Sequence, residues 1–194
     1  CGIMNTVRTL PPGFESATVL FGGVGATDTM AAWGSAMQRF YNTTRKTDLQ
    51  TTKLGVYTDN GAFYNNPQNL NGSTAPEVFG EMFDRYRYEG VPVNYLMLDD
   101  WWYTAVHPGS MLIDTPAANP KWFPNGLTEL WERVKVPLDM YSVHYTNNFT
   151  LFTEDTGHRI PIIHDNWAPP GGWLPGPGVG PAREFYERLF TTWG

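Results

Sequence analysis

One cysteine, Cys1, occurs among 194 residues. A lone thiol excludes an internal disulfide framework and any cysteine-ligated metal site. Charge is also scarce: charged residues make up 16%, against about 25% in an ordinary soluble domain. Thirteen Lys and Arg stand against 19 Asp and Glu, a net charge of −6 with His neutral. Without clustered basic residues, nucleic acid is not an expected partner, and neither is an anionic lipid surface. No apolar run approaches the ~20 residues that cross a bilayer, so no membrane span is expected. The sequence starts Cys-Gly-Ile-Met, with neither an initiator Met nor a basic-then-apolar leader. That start is read as a processed chain or a piece of a longer one.

Aromatic residues are abundant. Eight Trp, 10 Tyr and 11 Phe make up 15% of the chain, beside 20 Gly and 16 Pro. Hydrophobic residues reach 41%, enough for a core, so wholesale disorder is excluded. The profile suits a loop-rich, aromatic-lined globular protein and disfavours a helical bundle. Three sequons, at Asn42, Asn71 and Asn148, mark candidate glycosylation sites and tilt the expectation toward a secreted or endomembrane glycoprotein.

Residues 1–52 read as a lead-in. A short strand is expected near Thr18–Phe21, then a helix over about 29–44, N-capped by Asp28 and striped with Met30, Trp33, Met37 and Phe40. From residue 53 onward, short apolar runs alternate with helical patterns. Strands are expected over 53–58, 93–98 and 136–144, and helices over about 75–89, 127–135 and 181–193. Phe185, Leu189 and Phe190 form the buried side of the last helix. Residues 146–180 read as a long insertion ending in a Gly/Pro-rich stretch.

Apolar strands separated by helices imply a parallel sheet covered by helices. Tyr57 and Met97 lie 40 residues apart, and Met97 and Met140 lie 43 apart. Repeats of that size would bring a (β/α)₈ barrel to roughly 330 residues. The expected fold is therefore the first three or so βα units of such a barrel, with the rest of the barrel as a partner. A doubly wound sheet is disfavoured because Gly22-Gly-Val-Gly25 lacks the spacing of a phosphate-binding turn. No cofactor is expected.

In a barrel of this kind, chemistry collects at the carboxyl ends of the strands. Those ends carry Asp59-Asn60, then Asp99-Asp100-Trp101-Trp102, then His144 with Tyr145. Asp and Asn are ordinary turn formers. Adjacent carboxylates, in contrast, repel each other unless donors compensate them, and two indoles stand beside this pair. A carbohydrate supplies what such a site needs. Its hydroxyls donate to carboxylates, and its C–H face stacks on indole. Asp59, Asn60, Asp99, Asp100, Trp101, Trp102 and His144 are the candidate substrate-binding residues, while Trp33, Trp131 and Trp193 read as packing.

Three stretches carry a family resemblance: Leu54-Gly-Val-Tyr-Thr-Asp-Asn-Gly-Ala-Phe-Tyr64, Tyr95-Leu-Met-Leu-Asp-Asp-Trp-Trp-Tyr103 and Val136-Pro-Leu-Asp-Met-Tyr-Ser-Val-His-Tyr145. They resemble the α-galactosidase and raffinose-synthase group of glycoside hydrolases. The resemblance spans about residues 18–145 and departs at Trp101, where family members often carry Gly or Cys. It implies a retaining glycosidase or transglycosidase acting on α-linked, galactoside-like sugars. Asp99 and Asp100 would bind hydroxyls of the terminal sugar, with Asp59 and His144 lining the same pocket. The family's nucleophile and acid/base fall at the ends of strands four and six, so no catalytic carboxylate is expected before Gly194. The alternative is a non-catalytic glycan-binding or structural glycoprotein. An oligomer is left open.

No metal is expected. His107, His144, His158 and His164 lack ligand spacing, and no calcium-loop or nucleophile-elbow motif occurs.

Overall fold

A computed structural model describes residues 7–105, 112–142, 144–153, 158–165, 172–176 and 179–193. The chain divides into two units, Cys1–Thr47 and Asp48–Gly194. The first contains α1 (Ala26–Phe40), which starts at Gly25 with φ 81°, so that Asp28 falls in the first turn rather than at the cap. None of its residues is buried. Its expected stripe is open to solvent, with Met30 63% and Phe40 75% exposed. No strand forms over residues 18–21.

The second unit opens with α2 (Leu49–Thr52), capped reciprocally by Asp48 and Thr51. Strand β1 (Leu54–Tyr57) follows. Thr74 and Glu77 then close a capping box on α3 (Ala75–Tyr88), with Pro76 in its first turn. Together they satisfy backbone N–H groups that the first helical turn leaves unpaired. Ala75, Phe79 and Phe83, four residues apart, form the buried face of α3. Gly90 at φ 69° ends the helix in the left-handed region that glycine adopts without steric cost.

Strand β2 (Val93–Leu98) is next, followed by a hairpin of β3 (Tyr103–Ala105) and β4 (Leu112–Ala118). Helix α4 (Gly126–Val134) buries Leu130 and Val134 and packs against α3. Strands β5 (Leu138–Met140) and β6 (His144–Tyr145) are short. β7 (Ile162–Asp165), β8 (Gly172–Pro175) and α5 (Val179–Trp193) complete the unit.

These strands make two sheets. β1, β2 and β5 lie parallel in that order, with Val56 opposite Leu96 and Leu98 opposite Met140. Gly55 is required at its place in β1, because a Cβ there would sit 2.0 Å from the ring of Tyr95. The second sheet has the order β3-β4-β6-β8-β7 and mixes directions: β4–β6 is parallel, and the other pairs are antiparallel.

The expected barrel is therefore incorrect. Two open sheets are present among the described residues, and the chain beyond β5 does not extend the parallel series. It turns at Tyr141 and enters the mixed sheet, where His144 pairs with Leu112 of β4. Residues read as loop and insertion supply the strands of that sheet. Strand signals fail there because the segments are short and interrupted by Pro and Gly, which periodicity cannot detect. In α5, Phe185 and Leu189 are buried as expected, whereas Phe190 is 70% exposed.

Candidate functional site

The carboxyl ends of β1 and β2 meet. The Thr58 N–H donates to the Met97 carbonyl at 3.2 Å, extending the pairing by one residue. The Thr58 hydroxyl, itself buried, accepts from the Asp99 N–H at 2.9 Å. This clamp brings Asp59, the residue after Thr58, close enough to Asp99 for its charge to act on the Asp99 carboxyl. Asp59 is held from its own loop: Oδ1 accepts from the Asn60 N–H at 2.5 Å and from Asn60 Nδ2 at 3.0 Å.

Burial pushes the Asp99 carboxyl above the ordinary aspartate range; the Asp100 N–H, which donates to it, pulls the other way, and the charges of Asp100 and Asp59 add to the rise. The Asp100 carboxyl is raised by burial first and by the Asp59 charge second. Every charged group acting on this pair is another carboxylate. Tyr141, just after β5, donates its N–H to the Leu98 carbonyl at 2.9 Å and so joins the same strand ends. Burial and then the charges of Asp99, Asp100 and Asp59 raise its phenol. Tyr103 is raised by burial, with Asp100 next. The result is three carboxyls and two phenols within one electrostatic neighbourhood.

Asn65 completes it. With its amide turned to satisfy both neighbours, Nδ2 donates to Asp99 Oδ2 at 2.8 Å and to the Thr58 carbonyl at 3.2 Å. It stands in a short 3₁₀ turn over Phe63–Asn65, a region without strand or helix periodicity. Asn65, Thr58, Tyr103 and Tyr141 were not among the expected site residues. Tyr103 and Tyr141 did lie inside the resembling stretches, where their position beside the strand ends was the available signal.

The structure thus brings together Asp59, Asn60, Asp99 and Asp100, and it places the other expected residues elsewhere. Trp101 is buried between Phe79 and Phe123, stacked on them at centroid distances of 6.3 and 5.8 Å. Trp102 is fully buried, and its Nε1 donates to the Tyr141 carbonyl at 2.7 Å. The tight turn from Asp99 to Trp102, closed by a 3.2 Å backbone bond, sends both indoles into the core beneath the carboxyls. Trp101 stacks within the core, and Trp102 lines a separate cavity with Leu127, Trp131 and Met140. Trp131, expected to pack, is instead 53% exposed, and Trp33 is 40% exposed.

His144 belongs to the mixed sheet. It is buried against Gly172, where a Cβ would sit 2.8 Å from the His144 Cβ. It does not close the third parallel strand, because that strand ends at Met140. His158 faces Glu184 at 3.4 Å, and His164 stacks edge-on against Trp173. His107 lies outside the described residues. Among the described residues, no group of three or more His, Cys, Asp or Glu could hold a metal ion, and no helix is long and apolar enough to cross a membrane.

The geometry limits the chemistry. What the cluster can do is accept hydrogen bonds from a ligand rich in hydroxyls. No family model, curated protein or solved structure matches the chain.

Proposed function

We propose that the strand ends of residues 48–194 bind a neutral sugar, and that the protein acts on α-linked, galactoside-like glycans. Asp99 and Asp100 accept hydroxyl hydrogen bonds, while the charge of Asp59 acts on both of them. Tyr141 contributes a phenol at the rim. The observation that carries this reading is the carboxyl cluster, in which every charged neighbour acting on Asp99 and Asp100 is another carboxylate. Three acids are set together at parallel strand ends, and burial and like charge oppose the ionisation of Asp99 and Asp100. Hydroxyl donors would relieve that cost through charge-assisted bonds. The Tyr-Thr-Asp-Asn-Gly and Leu-Asp-Asp-Trp-Trp runs support a glycoside-hydrolase setting. In this reading these groups supply recognition rather than the acid pair that cleaves a glycosidic bond.

The test is equilibrium binding of galactose and glucose to the wild-type protein and to Asp100→Ala, with circular dichroism as the check on folding. Saturable binding that is lost in a folded Asp100→Ala protein is the expected result. Equal affinity in both proteins contradicts the proposal. A second reading, a non-catalytic glycan-binding protein, is favoured by the Asn60 and Asn65 amides that hold Asp59 and Asp99 as hydrogen-bond acceptors. It predicts the same binding with no release of sugar from α-galactosides.

A further inference from the structure

A second polar groove lies away from β1 and β2. It holds about 410 Å³ and is lined by Pro67, Gln68, Asn71, Gly72, Ser73, Lys121 and Trp122. Asn71 and Ser73 are the first and third residues of a sequon, and both side chains are exposed. Asn71 caps a 3₁₀ turn at φ 53°, and Gly72 follows at φ 86°. Two successive left-handed residues turn the chain sharply outward. Opposite them, Trp122 is half-buried, fixed by bonds from its backbone to Ala75 and Asn119. Lys121 Nζ stands 4.2 Å from the Trp122 ring centroid. The attachment asparagine thus shares a groove with an indole, one face of which Lys121 covers, and with an amide and a hydroxyl.

We propose that Asn71 carries an N-linked glycan whose first sugar, an N-acetylhexosamine, packs into this groove against Trp122. The apolar face of such a ring matches indole, and Gln68 and Ser73 offer partners to its acetamide and hydroxyls. In the attachment step, Asn71 Nδ2 bonds to the anomeric carbon of a lipid-linked oligosaccharyl pyrophosphate. The carbon–oxygen bond to pyrophosphate breaks, the lipid pyrophosphate leaves, and the amide proton passes to a base of the transferase. The other sequons differ in setting. Phe149, the middle residue of the Asn148 sequon, is fully buried and ties that segment to the core. Asn42 lies on the exposed turn after α1. The proposal rests on a secretory route and is independent of the strand-end sugar site.

The experiment is secretion of the full chain from a eukaryotic host, glycopeptide mapping by mass spectrometry, and thermal unfolding of wild type, Asn71→Gln, Trp122→Leu and the double variant. Asn71 should be occupied. Asn71→Gln should lower the midpoint by a few degrees in the wild-type background and leave it unchanged in the Trp122→Leu background. An unoccupied Asn71 in secreted protein, or equal shifts in both backgrounds, overturns the proposal. If Trp122→Leu is not secreted, nuclear Overhauser contacts between the first sugar and the Trp122 ring decide on the wild-type glycoprotein. Their presence supports the packing and their absence refutes it.

Discussion

Around Tyr145 the protein buries rings against rings; around Asp99 it sets carboxyls against carboxyls. In the first region Tyr145, Phe149, Phe152 and Phe185 have centroids 4.6 to 5.8 Å from at least one other member. All four are at most 3% exposed. Their packing gains both apolar burial and ring–ring contact. In the second region Asp99 is 7% exposed, and its charged neighbours are like-charged. The first arrangement stabilises the fold. The second opposes it, and a ligand that donates hydrogen bonds would reverse the sign. A region whose chemistry works against folding marks where binding is to be sought.

The largest effect should come from the aromatic region. Phe185→Ala is expected to cost about 3–5 kcal/mol through lost transfer energy and a residual cavity, read by denaturant unfolding of residues 48–194. A cost under about 1 kcal/mol would mean that the rings do not carry the unit. The Asn65→Leu change should be smaller, about 1–2 kcal/mol, because it strips donors from Asp99 and from the Thr58 carbonyl. It should also raise the Asp99 carboxyl further, since a bond to its charged form is lost.

Smaller still is the effect of pH, and its sign separates the two regions. Asp99 is raised above the usual 3.8 in the folded protein, so the folded state holds its proton more tightly than the unfolded chain does. Stability from this group is fully present below the unfolded value and declines as pH rises through the folded one. That slope is opposite to ordinary acid denaturation. Asp99→Asn should reduce it to the share that Asp100, also raised, contributes, without lowering stability at neutral pH by more than about 1 kcal/mol. A variant that keeps the slope would assign it to other groups.

Much of the parallel sheet was legible because its signals are local. β1, β2 and β5 are short apolar runs, and Thr74-Ala-Pro-Glu77 announces its helix through side chains that cap it. That the three parallel strands do not lead into a barrel was not legible, because closure depends on where later segments pair. Those segments, Leu112–Ala118 and Gly172–Pro175, carry prolines and little alternation. At the site, the acids were visible as a doublet at a strand end. The roles of Trp101 and Trp102 were not, because an indole beside a pocket and an indole beneath it have the same sequence. Asn65 reaches Asp99 only through the tertiary fold, across a turn with no pattern of its own.

The most direct test follows the side-chain carboxyl signals of Asp59, Asp99 and Asp100 by carbon NMR across a pH titration, with and without saturating galactose. If sugar hydroxyls bond to this cluster, Asp99 and Asp100 should titrate at lower pH when galactose is present, because donors favour the charged form. Superimposable titrations of all three carboxyls, with and without the sugar, would contradict the account.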